Sequence, residues 1–329
     1  MRTRFAPSPT GDLHLGGAYI ALASWLTARS TGGQFVIRVE DLDAQRTVPG
    51  AVGRILGDLT WLGLDWDEGP DVGGPCAPYV QSERLGLYEE AMGLLAAAGR
   101  VYPCTCSRTE IARVASAPHV GEEGPAYPGT CRDPARRRSD RQPALRFRIP
   151  DDPSRRVTFV DGFYGPQEQD VSAAVGDFVL RRADGQFSYQ LAVTVDDLAM
   201  EVSAVIRGDD LLPSTGRQLM LARFLGGIAP TYIHLPMVLG PDGERLAKRH
   251  QSRWAGSTVR ELRDASLSAG EVLCALGEAL GLLAVPAGSS PVRREPHTVS
   301  PGTLLDAMRT RPIRPPKPWP VPADWMRPR

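Results

Sequence analysis

Apolar positions near the start of the chain change period twice, and each change marks an element. Residues 2–6 read as a short strand that Pro7, Pro9 and Gly11 break, and from Gly16 the apolar residues Tyr19, Leu22, Ala23 and Leu26 recur at helical spacing. Gly32 and Gly33 end this helix, and QFVIRVE forms a second strand that leads into Asp41, Leu42 and Asp43. A strand, a helix and a strand with a short return predict a parallel crossover, and hence an α/β chain with an open, doubly wound parallel sheet. Residues 52–64 and 81–98 read as scaffold helices, the second with Leu85, Tyr88, Met92 and Leu95 on one face.

From Val101 the pattern changes. ALRFRIP, RVTFVD and DFVLRR alternate like half-exposed strands, which predicts an inserted α+β subdomain splitting the parallel sheet. FSYQLAVTVDDLAM returns to the core, and AVIRGDDLL is a further strand. A helix over 213–225, the strand TYIHLPMVLG and the flexible loop GPDGERLAKRH follow. One or two short helices are predicted within 259–283. The Pro-rich stretch 285–329, with few apolar runs, is expected to wander over the surface or to be disordered. These changes divide the chain into 1–100, 101–188, 189–258 and 259–329.

Composition adds bounds. With 329 residues, 42% of them hydrophobic, the chain can bury a real core and has room for roughly two domains. The 38 basic and 38 acidic residues cancel, which leaves nucleic acid possible through a local basic face. No apolar run resembles a signal peptide or is long enough to span a membrane, so a cytoplasmic protein with no membrane partner is expected. Five cysteines without secretion signals favour a metal or free thiols over disulfides. Nearly every basic residue is Arg, which makes the retained lysines, Lys248 and Lys317, informative.

The candidate chemistry gathers in four places. The turn after the first strand presents backbone N–H groups and the positive end of a helix dipole, where a phosphate binds in an open parallel sheet. His14, Gly16 and Gly17 sit in this mouth, the imidazole as a donor to phosphate and the glycines leaving room for a nucleotide. Glu40 lies at the carboxyl end of the second strand, on the ligand-binding edge, and Arg207 ends a later one, where a guanidinium can clamp a carboxylate. Cys104, Cys106 and Cys131 can converge on a tetrahedral ion, with His119 the general candidate for a fourth ligand. Cys76 and Cys274 read as buried apolar thiols. Finally, residues 132–156 carry nine arginines against four acidic residues, a run able to track a phosphate backbone.

PSPTGDLHLGG resembles the first signature of the class I aminoacyl-tRNA synthetases, in the form of their glutamyl branch, and RVEDLDAQR and the R-G-x-D segment resemble that branch as well. RLAKR stands where the family has its second signature, with Arg245 and Ala247 departing from it and Lys248 retained. The C-x-C and Y-x-x-x-C segments are similar to the zinc site of the glutamyl-queuosine tRNA(Asp) synthetases, over a resemblance spanning roughly 280 residues. That resemblance implies a Rossmann-like core with a zinc-bearing insertion and one Zn2+ per chain held by Cys104, Cys106, Tyr127 and Cys131. It also implies glutamate held by Arg4, Ser8, Glu40, Tyr189 and Arg207, with ATP, accompanied by Mg2+, held by His14, Gly16, Gly17 and Lys248. His14 and Lys248 would be the catalytic pair, and the partner would be the anticodon loop of tRNA(Asp), met by a monomer. The competing expectations are a truncated glutamyl-tRNA synthetase, a nucleotidyltransferase of the same superfamily and a non-catalytic zinc-containing RNA-binding paralogue. Tail length discriminates the first, because the chain leaves no room for a large anticodon-binding region after the RLAKR loop.

Overall fold

The helix that follows the opening turn is buried over most of its surface, and a parallel sheet lies beside it. The computed structural model describes residues 1–107, 109–111, 126–240, 242–243, 246, 254–283, 299–315, 318–322 and 325–328. Strand β1 (Arg2–Phe5), helix α1 (Leu15–Ser30) and strand β2 (Gln34–Ile37) follow one another as the periodicity predicts. Eleven of the sixteen residues of α1 are buried, so the helix has no broad polar face and must sit within the core. Gly32 follows the helix at φ +63, and a Cβ on Gly33 would fall 1.7 Å from the Met1 carbonyl oxygen, so only glycine fits between α1 and β2 at position 33.

The chain continues through α2 (Ala51–Trp61), α3 (Leu85–Ala97), β3 (Val101–Cys104), β4 (Ala144–Phe147), β5 (Arg156–Asp161) and β6 (Gly165–Asp170). Next come α4 (Val171–Ala174), β7 (Val179–Arg181), α5 (Tyr189–Ala199), β8 (Ala204–Gly208), α6 (Thr215–Phe224) and β9 (Thr231–Leu235). The described C-terminal part holds β10 (Val238–Leu239), β11 (Trp254–Ala255), α7 (Val259–Asp264), α8 (Ala269–Ala279), α9 (Pro301–Thr310), β12 (Trp319–Pro320) and β13 (Arg327–Pro328). Two compact units result: Met1–Gln81 with Val202–Leu212 and Thr231–Arg329, and Ser82–Glu201 with Pro213–Pro230.

In the first unit four parallel strands run in the order β2-β1-β8-β9, with Arg4 opposite Val36, Thr3 opposite Ala204 and Arg207 opposite His234. The near-continuous apolar runs FVI and AVI suit strands buried on both faces. Leu15, Leu22 and Leu26 of α1 pack with Phe35 and Ile37 of β2 and Leu59 of α2 in one apolar cluster. In the second unit β3, β4 and β7 form an antiparallel sheet, and β5 and β6 form a hairpin. There the Asp196 carboxylate is buried between the Arg84 guanidinium at 2.6 Å and the Tyr88 hydroxyl at 2.9 Å.

Three expectations need correction. The Pro-rich tail does not simply wander: Leu304, Val321, Trp325 and Met326 are buried in the cluster around α1. Ser300 caps α9 with Pro301 at its first position, and the Trp319 and Val321 amides donate to the Met237 and Leu239 carbonyls. Proline lowers the density of apolar residues without preventing the few that remain from plugging the core. The predicted helix over 213–225 starts at Thr215, because Pro213 lies inside a preceding 3-10 turn, Asp209–Ser214. Cys76 is half-exposed with its Sγ 3.6 Å from Arg2 Nη2, whereas Cys274 is buried as expected. No helix among the described residues is long and apolar enough to cross a membrane.

Candidate active site and metal centre

The carboxyl ends of β1, β2 and β8 assemble the first site. Arg4 is the third residue of β1 and is buried. Beyond β2 the ladder persists, with the Arg38 amide donating to the Phe5 carbonyl and the Glu40 amide to the Pro7 carbonyl, both at 3.0 Å. These two bonds set Glu40 beside the turn that carries exposed Ser8. The Glu40 carboxylate in turn accepts from Arg38 Nη2 at 2.9 Å, and the Arg38 side chain is fully buried. Arg38 is a residue that sequence reading overlooked; a basic residue two positions before Glu40 inside an apolar strand is its only signal.

His14 is the N-cap of α1. Its Nδ1 accepts the Gly17 amide proton at 3.0 Å, so in the neutral ring the proton sits on Nε2, the nitrogen able to donate to an anion. No acidic residue occupies the first turn of this helix, which leaves its positive end uncompensated there. The glycine pair has an internal reason as well as the one read from sequence. A Cβ on Gly16 would lie 3.1 Å from His14 Nδ1, and one on Gly17 would lie 2.9 Å from Leu13 Cδ1. The glycines therefore make room for the histidine ring and the turn itself.

The segment after the second signature closes against the first, as the Leu15 amide donates to the Ser257 carbonyl and the Val259 amide to that of Leu13. Leu246 is buried and its amide donates to the Val238 carbonyl at 2.7 Å. Arg245, Ala247 and Lys248 lie outside the described residues, as do Lys317 and His119.

Arg207, the penultimate residue of β8, is buried. Its Nε donates to His234 Nε2 at 3.0 Å, its Nη2 to the Leu211 carbonyl at 3.2 Å, and its Cζ lies 4.9 Å from the centre of the Tyr232 ring. Arg4, Ser8, His14, Glu40 and Arg207 all belong to the first unit. Tyr189 belongs to the second, where it opens helix α5 and is 38% exposed. The β-branched run VTV disguises this helix, and burial of every residue from Gln190 to Asp197 removes the amphipathic stripe that would have revealed it.

The cysteine centre lies within the second unit. Cys104 ends β3, Cys131 sits in the 3-10 turn Thr130–Arg132, and the sulfurs of Cys104, Cys106 and Cys131 lie within 4.8 Å of one another. Zinc at about 2.3 Å from each sulfur would set them roughly 3.8 Å apart, so the set fits a metal ion. The Tyr127 hydroxyl is 3.3 Å from Cys104 Sγ and 3.7 Å from Cys106 Sγ, and it accepts the Cys131 amide proton at 2.8 Å. Burial, followed by the neighbouring thiols, pushes the Tyr127 phenol well above its ordinary range. Burial likewise lifts the Cys106 thiol to about 12. Cys131 goes the other way: against the effect of burial, hydrogen bonds from the Thr105 backbone, Tyr127 and the other thiols lower it to about 7.

Tyr127 is held by its backbone, which pairs with Gly176 at φ +65, where a Cβ would lie 2.1 Å from the Tyr127 carbonyl oxygen. The Arg146 guanidinium covers the ring with its Cζ 3.9 Å from the centre. Arg132 clips the loop by bonding Asp177 with Nε at 2.6 Å and Nη2 at 2.7 Å. This accounts for much of the basic run. Arg132, Arg136, Arg138, Arg141, Arg148, Arg155 and Arg156 each lie within 4 Å of a carboxylate, several of which come from outside the run: Glu110, Glu168, Asp170 and Asp177. The run is therefore far less positive in the fold than its composition suggests.

Residues 1–280 match the model of the class I tRNA synthetases (E and Q), catalytic domain. A protein from Nitratidesulfovibrio vulgaris named glutamyl-Q tRNA(Asp) synthetase is 47% identical over 322 residues, covering 95% of each chain. One of the same name from Symbiobacterium thermophilum is 51% identical over 299 residues and 89% of each chain. The crystal structure of a glutamate tRNA ligase from Elizabethkingia meningosepticum in complex with its amino acid superposes with a TM-score of 0.78 at 27% identity, covering 99% of this chain and 68% of that one. With the sheet, the signature turn and this sequence match in agreement, the chain belongs to the class I tRNA synthetases of the E and Q type, through their catalytic domain.

Proposed function

We propose that the chain activates glutamate with ATP and transfers the glutamyl group to queuosine at the wobble position of tRNA(Asp). The observation that carries this reading is the alignment, over nearly the whole of both chains, with relatives named glutamyl-Q tRNA(Asp) synthetase. An α-carboxylate oxygen of glutamate attacks the α-phosphorus of ATP and pyrophosphate leaves. A hydroxyl oxygen on the cyclopentene ring of queuosine then attacks the acyl carbon, loses its proton, and AMP leaves. Neither step needs a nucleophilic side chain, so the protein orients the reactants and stabilises developing charge.

In this reading Arg207 clamps the γ-carboxylate through two parallel hydrogen bonds, Arg4 and Ser8 bind glutamate from the same unit, and Glu40 receives the amino group; Tyr189 is the further glutamate-binding residue that the family resemblance implies. His14 donates from Nε2 to a phosphate oxygen beside the α1 N-terminus and the Gly16-Gly17 turn. Lys248 follows the charge on the departing pyrophosphate. Mg2+ accompanies the nucleotide. One zinc ion, held by Cys104, Cys106, Cys131 and Tyr127, ties down the loop and takes no part in either step. The enzyme works in the cytoplasm as a monomer and receives the anticodon loop at its catalytic mouth. An unstacked wobble base is then presented directly to the adenylate.

The test combines two measurements. Labelled pyrophosphate should exchange into ATP with glutamate and no tRNA, and far less with glutamine or aspartate. Labelled glutamate should then pass to queuosine-containing tRNA(Asp), to neither its guanosine form nor tRNA(Glu), and survive trimming of the 3′ end. Label on tRNA(Glu) that trimming removes would make the chain a charging enzyme instead.

A further inference from the structure

We infer that His234 is a positioning residue for amino-acid selection: it acts as a neutral hydrogen-bond acceptor that sets the orientation of the Arg207 guanidinium. The inference deepens the reading above and rests on it. Its basis lies wholly within the first unit, in the pairing of β8 with β9. Register puts His234 directly opposite Arg207, and the period of two puts Tyr232 on the same face as His234. Tyr232 and His234 stack, with ring centres 6.0 Å apart and planes 9° from parallel.

The hydrogen bond determines the chemistry of the ring. Arginine stays protonated and can only donate, so the 3.0 Å contact from its Nε requires a lone pair on His234 Nε2. With that nitrogen accepting, the ring is neutral and carries its proton on Nδ1; the side chain is completely buried. A second cation at this distance would repel the first. Among the contacts of the guanidinium, the Nε bond blocks its rotation, the Tyr232 face sets its plane, and the Leu211 carbonyl engages Nη2. A flexible arginine can meet an anion in many poses. One held in this way offers its Nη edge at a single angle, which a planar carboxylate matches and a carboxamide, bringing its own N–H donors, does not. Selection of glutamate over glutamine thus depends on a residue that need not touch either.

The test uses pyrophosphate exchange by the full chain, with glutamate and glutamine as substrates. His234→Leu removes the acceptor and should raise the KM for glutamate at least tenfold, leave the KM for ATP within about twofold, and reduce the preference for glutamate over glutamine by a similar factor. His234→Gln places a carbonyl oxygen near the position of Nε2 and should recover most of the preference. His234→Asn, one methylene shorter, should behave like His234→Leu and serves in its place if that variant does not fold. A wild-type protein that shows no glutamate-dependent exchange would overturn the functional reading, and the inference with it. Active wild type with an unchanged glutamate preference in His234→Leu or His234→Asn would overturn the inference alone. So would equal rises in both KM values that Gln fails to rescue, which would make His234 a packing residue.

Discussion

The mouth of the first unit and the cysteine centre of the second are assembled in opposite ways. Arg4 on β1 and Arg207 on β8 lie far apart in the chain, Glu40 lies just beyond β2, and a parallel backbone ladder brings them to one edge. The apolar cluster beneath that ladder is extensive, so the edge exists whatever side chains occupy it. Cys104, Cys106, Tyr127 and Cys131 come from one stretch of chain, and the buried cluster around them consists of Tyr102, Cys104, Tyr127 and Cys131. Side chains bear most of the load there: Asp177 alone receives Arg132, the Tyr102 hydroxyl at 2.5 Å and the Ile149 amide at 2.9 Å. Loss of a mouth side chain should therefore cost function and spare the fold, whereas loss of a ligand in the centre should cost the fold of its unit.

The strongest way to break that comparison is Arg207→Ala. With a clamped carboxylate lost, kcat/KM for glutamate should fall about a thousandfold, equivalent to about 4 kcal/mol. Melting of the metal centre, followed by metal content during heating, should move little. A variant that lost its zinc along with its activity would show that the two regions are not separate in kind.

A smaller effect is expected at the centre. Cys131→Ser, or a strong chelator on the wild-type protein, should release one zinc per chain and open the second unit to proteolysis around 104–131. Tyr127→Phe should weaken metal retention, and His119→Ala should not. Full zinc retention by Tyr127→Phe with loss in His119→Ala would reverse the choice of fourth ligand.

The smallest effect contrasts two buried carboxylates. Asp177 is surrounded by donors, but among the described residues the buried Oδ2 of Asp58 on α2 has no hydrogen-bond partner, and Arg263 stands 3.9 Å from its Oδ1. Burial raises the Asp58 carboxyl to about 6, with Arg263 opposing the rise. Because its folded value exceeds the unfolded one, its stabilising contribution is complete below about pH 4 and is lost as the pH rises through about 6. Asp58→Asn stays neutral, so it should stabilise the protein by about 2 to 3 kcal/mol at pH 7.5 and by almost nothing at pH 4. Urea unfolding at the two pH values measures this; a gain that does not grow with pH would contradict it.

Much was legible in the residues themselves. The strand, turn and helix of the first signature, Gly32 at its positive φ after α1, and the Cys104-Cys106 pair all announce local requirements, which depend on a few neighbours in the chain. Other features were not. The tail reads as surface because proline dilutes its apolar residues, yet Leu304 and Trp325 enter the core because the fold leaves places for them. The arginine run reads as a basic face because composition counts charges, and it is largely neutralised because carboxylates from elsewhere in its unit meet it. His234 reads as one residue of an apolar strand, and only the register of β9 against β8 makes it the partner of Arg207. The sequence by itself thus determined the elements of the first crossover, the signatures and the residue types able to hold a metal, all set by local propensity and short-range spacing. Tertiary structure decided which charges are cancelled, which tail residues are buried and which histidine supports which arginine, because each of those depends on a contact between segments that chain order does not bring together.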